Sequence, residues 1–278
     1  MFNSHIRGSI WNWTGNGVLL AYLLFTLIPI VWFLVASIEP PSAIQSANPF
    51  TRFEPTLQNY IDVFAKLNLM RFIFNSLIVC SVSTILSILA GIPAAYGFAR
   101  LKTRGMEQLS LWILSNRMLP PIAVVIPLYL LLGQLGLLDT RTGLIIIYSA
   151  LNLPYVVWTM VSFFEGIPIE LDEAAAMDGS TILGTLCRIM IPIAAPGILA
   201  TGIFTFILCW SEFLFAVIVT SSTAQTLPVA IASFVTDRGI EWGKMSAAGS
   251  VLIVPLTVLF YSVQRFLIRG LSFGAIAG

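Results

Sequence analysis

At 278 residues, 58% hydrophobic and only 10% charged, with a mean hydropathy of +0.93, the chain carries less than half the charge of an ordinary globular domain, which is about 25% charged. Water is therefore not the solvent for most of its surface. A formal net charge of +1, with no short window holding more than three Lys or Arg, excludes a nucleic-acid partner.

Apolar runs of about 20 residues can each cross a hydrocarbon core about 30 Å thick as a helix. They occur at Gly17 to Ile38, Phe72 to Ala99, Leu109 to Leu132, Leu144 to Phe164, Gly197 to Thr220 and Met245 to Leu267. The expected fold is all-α: a polytopic membrane protein with six transmembrane helices over 17–267, an N-terminal segment 1–16 and a tail 268–278. The first run is too long for a cleavable signal peptide and five more follow, so it is read as an uncleaved anchor. An even number of spans puts both termini on one side, with the polar segments Glu39 to Arg71 and Ser221 to Lys244 and the link Gly133 to Gly143 on the other.

Lys and Arg are nearly balanced, seven on the terminal side and six opposite. Their density decides. Arg100, Lys102 and Arg104 follow the second span directly, and Arg265 and Arg269 flank the last, which favours cytoplasmic termini. Cys80 and Cys209 fall in spans and Cys187 in a loop, so three free thiols are expected.

Ionisable residues inside a membrane usually face a bundle interior or a wet cavity. Arg117 in the third run and Glu212 in the fifth are such residues, read either as a solute contact or gating ion pair, or as a structural pair or partner-subunit contact. In the fourth run Tyr148, Asn152 and Tyr155 are spaced i, i+4 and i+7, lining one face with two phenols and an amide. That chemistry suits sugar hydroxyls, and it also suits interhelical contacts.

Between the fourth and fifth runs lies the longest polar stretch near the termini, 165–196. Pro168 suits a helix start, and Glu170, Asp172 and Glu173 complement the dipole of a first turn. Gly179 supplies the stop after Met177 and Asp178, and Ser180 can cap a second helix. In that second helix Ile182, Leu183, Leu186, Ile189 and Met190 form an apolar stripe that must be buried. The first helix has an acidic face, which anionic lipid would repel, so the two-helix loop is read as a dock for a soluble protein.

No catalytic constellation accompanies it. The single histidine, His5, leaves no histidine metal cluster and no Ser-His-Asp site. Gly243-Lys244 runs into Met245, and Lys102-Thr103 follows Leu101, so no phosphate-binding loop is present. The chain is read as a non-enzyme with no cofactor or metal of its own.

Glu173-Ala174-Ala175, three residues, Gly179, nine residues and Ile189-Met190-Ile191-Pro192 resemble the EAA signature of permease subunits of bacterial ABC importers. The Asn75-Ser76 pair, Ile126-Pro127-Leu128, Leu135 to Thr140, Trp210-Ser211-Glu212-Phe213 and Gly270-Leu271-Ser272 extend the likeness to the smaller membrane subunit of maltose-type importers. The resemblance implies a multi-pass subunit of the bacterial inner membrane working with a second permease, two cytoplasmic ATP-binding subunits that hold ATP and Mg, and an extracytoplasmic solute-binding protein. It also implies that Glu170, Glu173, Ala174, Ala175, Met177, Asp178 and Gly179 form a cytoplasmic coupling loop. Arg117, Tyr148, Asn152, Tyr155, Trp210 and Glu212 are the candidate path for a sugar, oligosaccharide or polyol. The tail lacks the lysine that the family often carries near its end. An ion-coupled secondary transporter using Arg117 and Glu212 is the alternative, although the two halves of the sequence show no convincing repeat.

Overall fold

The computed structural model describes residues 4–40, 43, 53–101, 103–237 and 239–274, with only the backbone course for 4–14, 104, 107, 114 and 262–274. The elements are α1 (Ser4–Ile38), α2 (Gln58–Ile61, running into a π turn Asp62–Lys66), α3 (Leu69–Arg100), α4 (Arg104–Ser115), α5 (Pro121–Gln134), α6 (Arg141–Glu165), α7 (Glu170–Met177), α8 (Ile182–Thr185), α9 (Ile191–Trp210), α10 (Leu214–Val219), α11 (Leu227–Ala232) and α12 (Trp242–Gly274). A two-residue hairpin, β1 (Val235–Thr236) with β2 (Gly239–Ile240), is the sole sheet among the described residues. The fold is all-α otherwise. Five helical segments are long and apolar enough to cross a membrane, or six if one bent pair counts as a span.

The chain divides into two compact units, Met1–Leu69 with Ile231–Ile253 and Met70–Ala230 with Val254–Gly278. In the first, residues 17–35 of α1 are apolar nearly all round and mostly exposed, as expected of a helix whose solvent is lipid. Its C-terminal carbonyls lack intrahelical partners. Buried Asn59 supplies one, its amide donating to Ser37 O at 3.0 Å and Glu39 O at 2.8 Å, and the Ser37 hydroxyl meets Tyr60 Oη at 2.9 Å.

The second unit holds the core relevant to the site. Ile92, Ala95, Tyr96 and Ala99 of α3, Val156, Met160 and Phe164 of α6, and Leu186, Met190 and Ala194 near the start of α9 pack together with Ile167. Helices in lipid associate through close packing of small residues. At Gly197 of α9 a Cβ would fall 2.6 Å from the Phe163 ring, so only glycine allows this approach to α6.

Two expected spans differ from the straight helices read from hydropathy. The run Leu109 to Leu132 is broken into α4 with a short 3-10 turn and α5, bent by 95°. Pro120-Pro121 causes the break: Leu119 and Pro120 are extended, at ψ 130° and 126°, because a residue preceding proline is pushed out of the helical region. The run Gly197 to Thr220 stops at Trp210 and restarts at Leu214, whereas at its other end the helix reaches back to Ile182 through a π turn, Leu186–Met190. The second helix of the loop 165–196 is thus the beginning of the fifth span. The residues 275–278 of the tail lie outside those described.

Candidate functional site

The elbow between α6 and α9 is built from α7, a bend and α8. Glu170, Asp172 and Glu173 occupy the first turn of α7, where the exposed N–H groups favour negative charge. The helix closes in a Schellman arrangement: Ser180 N donates to Ala175 O at 2.9 Å, Gly179 N to Ala176 O at 3.0 Å, and Gly179 takes φ +77°, a conformation open to glycine. The cap of α8 is Thr181 rather than the expected Ser180, its hydroxyl accepting from Gly184 N at 3.1 Å.

One side of α7 is anchored. Asp172 accepts from Arg100 Nε at 2.7 Å and from the Tyr96 hydroxyl, and Arg100 Nη2 also donates to Ile167 O at 3.0 Å. Ala175 is buried, its small side chain allowing the approach. The other side faces outward: Glu170, Glu173, Ala174, Asp178 and Gly179 are exposed and Met177 is 89% exposed. The expected apolar stripe of α8 splits, because Leu186 and Met190 are buried in the core while Ile182 and Leu183 are 76% and 69% exposed. The elbow therefore presents Met177, Ile182 and Leu183 beside carboxylates. Asp172 pairs with Arg100 across 72 residues of sequence, which no local pattern could reveal.

The residues expected along a path do not converge on an ion pair. Arg117 is exposed in the turn before Pro120, its guanidinium 4.9 Å from the centre of the Tyr155 ring. Glu212 sits in the break after Trp210 and caps α10, accepting from Phe215 N at 3.0 Å and Ala216 N at 3.3 Å. Within this chain the two thus make separate contacts, each made possible by a helix break that hydropathy did not show.

Tyr148 and Asn152 are buried. The Asn152 amide donates to Tyr148 O at 2.9 Å and Cys209 Sγ at 3.3 Å, an interhelical use of the polar group. Trp210 is buried and stacked on Phe206 at 5.6 Å, and Tyr155 is half-buried. Because Arg117 and Glu212 touch different groups, the double variant Arg117→Gln with Glu212→Gln is expected to lose stability as the sum of the single losses, within about 0.5 kcal/mol. Thermal unfolding of the four forms in detergent measures it, and a gating pair would show strong coupling.

At the opposite end of the same helices a second cluster appears that the sequence did not suggest. Asp139, in the link before α6, takes φ +54° and accepts from the backbone N–H of Ser221, Ser222, Thr223 and Ala224 and from the hydroxyls of Ser222 and Thr223, all at 2.9 to 3.1 Å. Burial alone would raise its carboxyl, but the four backbone donors outweigh that and hold it far below the usual carboxylate range. Around it Arg71 donates to Ser222 O at 2.7 Å. Arg141 donates to Asn75 Oδ1 at 2.8 Å, and the Asn75 amide reaches Thr223 O and Gln225 O. Ser76 Oγ accepts from Leu227 N at 2.8 Å. The Asn75-Ser76 pair and the Leu135 to Thr140 segment, noted as isolated motifs, are two sides of one clasp.

Residues 87–273, which run from mid-α3 through α12 and include the elbow and the Asp139 side of the clasp, match the family described as the binding-protein-dependent transport system inner membrane component. The chain belongs to this family. As a permease component of that kind it is a multi-pass inner-membrane protein, and its relatives are transport permeases rather than enzymes. It is 36% identical over 255 residues to the sulfoquinovosyl glycerol transport system permease protein of Agrobacterium fabrum, covering 91% of this chain and 89% of the relative. It is 33% identical over 260 residues to the trehalose/maltose transport system permease protein of Thermococcus litoralis, covering 92% and 93%. Among solved structures, the permease fold matches a bacterial ABC transporter involved in the import of the acidic polysaccharide alginate, with a TM-score of 0.77 at 21% identity over 95% of this chain and 98% of that one.

Proposed function

We propose that this permease is one membrane half of an ATP-driven importer for a sugar, oligosaccharide or polyol, with its elbow at 165–196 seated on separate ATPase subunits. The observation that carries the reading is the outward side of the elbow. Met177, Ile182 and Leu183 protrude from an acidic surface whose opposite side is anchored, and such apolar groups gain free energy when a protein pocket covers them. Glu173 and Asp178 supply the polar contacts around that knob, Glu170 extends the acidic side, Ala174 and Ala175 permit close approach, and Gly179 makes the bend. In this arrangement the elbow and both termini are cytoplasmic, ATP and Mg are held by the ATPase subunits, and a second permease and an extracytoplasmic solute-binding protein complete the machine.

Carbohydrate as cargo is supported by the sulfoquinovosyl glycerol and trehalose/maltose permeases to which the chain is similar. Of the candidate path residues, Arg117, Tyr155 and Glu212 retain exposed surface that a solute could reach, whereas Tyr148, Asn152 and Trp210 are buried. The ion-coupled alternative loses its basis, since Arg117 lies over Tyr155 and Glu212 caps α10.

The complex purified from native membranes and placed in proteoliposomes is expected to take up radiolabelled trehalose, maltose or another sugar bound by its binding protein only when ATP is supplied at the elbow side. Uptake by the isolated chain driven by an ion gradient overturns the reading.

A further inference from the structure

The acidic residues from Glu170 to Asp178 divide by role. Asp172 alone of them is in a salt bridge among the described residues, and its two oxygens go to two different partners. Oδ2 takes Arg100 Nε and Oδ1 takes the Tyr96 hydroxyl, while the other arm of the same guanidinium holds Ile167 O just ahead of α7. An arginine fork that grips two points fixes orientation as well as distance. The side chains of Arg100 and Asp172 are only 13% and 17% exposed, so water competes little for them. Tyr96 is itself held, buried at 7% exposure and packed edge-on against Phe164 of α6 at 5.6 Å. Arg100 is the last residue of α3, and Asp172 lies in the first turn of α7.

We propose that Asp172, Arg100 and Tyr96 form a strut that makes α7 and the end of α3 one rigid body, so that a movement imposed on the elbow is delivered to the second membrane helix. This rests on the elbow being the ATPase dock. Asp172 is then a positioning residue, distinct from Glu173 and Asp178 on the outward side. Asparagine at 172 would keep a weak contact with Tyr96 but lose the charge-assisted bond to Arg100.

The test uses the full complex in lipid nanodiscs, with nitroxides at Thr103→Cys, beyond the end of α3, and Ala176→Cys in α7, both exposed positions, on a Cys187→Ser background. Pulsed electron resonance should read one narrow distance that is the same without nucleotide and after trapping with ATP and vanadate. Asp172→Ala and Arg100→Ala should each broaden it, the exchanged pair Arg100→Asp with Asp172→Arg should narrow it again, and the ATPase subunits should be retained throughout. A wild-type distance that shifts on trapping overturns the strut, as does a narrow distance surviving in Asp172→Ala. Loss of the ATPase subunits from Asp172→Ala also overturns it, by moving Asp172 into the dock. Failure of the docking reading itself shows elsewhere, as ATPase subunits that stay bound to Glu173→Lys.

Discussion

Glu173→Lys is expected to strip the permease of its ATPase subunits while leaving it folded and inserted. Glu173 is exposed on the outward side of α7 and is in no salt bridge among the described residues, so reversing its charge disturbs little within the chain. It also places a cation in the first turn, against the helix dipole, at about 0.3–1 kcal/mol. Across a protein interface the effect is larger: loss of one partner of a buried, hydrogen-bonded charge pair costs about 2–5 kcal/mol, or at least about 30-fold in affinity. Affinity capture of the complex through this chain, followed by quantitation of the ATPase subunits, reads the outcome. Undiminished capture with unchanged ATP-dependent uptake would remove Glu173 from the dock.

Asp139→Ala should have the largest effect on stability. The substitution leaves four backbone N–H groups and two hydroxyls of 221–224 without their carboxylate, and hydrogen bonds to a charged group are each worth about 1.5–3 kcal/mol. With part of that recovered by water at this partly exposed site, a loss of about 3 kcal/mol is expected, visible as a lowered unfolding temperature in detergent. Asp139→Asn should fall between the two, since the amide accepts through one oxygen and brings an N–H group against four donors.

The same carboxylate predicts a pH profile. Its folded pKa is depressed, so its contribution is fully present above the unfolded value of about 3.9 and fades as pH falls through the lower folded value. Between pH 5 and 8 the clasp should therefore be insensitive to pH. Below about pH 4 the wild-type protein should lose a stabilising increment that Asp139→Asn lacks. An equal acid dependence in both proteins would show that the clasp does not contribute.

Much of this architecture is written in local patterns. The uninterrupted apolar lengths of α1, α3 and α6 identify them as spans, and Gly179 after an acidic first turn marks the bend of the elbow. The sequence hid what depends on distant partners or on the balance between proline and helix. Pro120-Pro121 turns the third span by 95°, yet hydropathy averaged over 20 residues does not register a backbone direction. The loop bound at 196 reflected composition, yet Pro192 falls at the second position of α9, directly after a π turn, so the helix runs through it. Asp172 is one carboxylate among several in the sequence until Arg100 comes beside it, and Asp139 is only one member of the Leu135 to Thr140 motif until 221–224 fold over it. Both are separated from their partners by more than 70 positions.

From Ile182 to Trp210 the backbone is helical without a gap, 29 residues or about 44 Å at 1.5 Å per residue. It starts at two protruding apolar residues of the elbow and ends two residues before Glu212, the cap of α10. Two places along it lack regular helical hydrogen bonding, the widened turn at Leu186–Met190 and Pro196, which has no N–H to donate. Thrust applied at Leu183 would reach Trp210 only after passing both of these yielding points, which set how much of it arrives as axial travel and how much as bending.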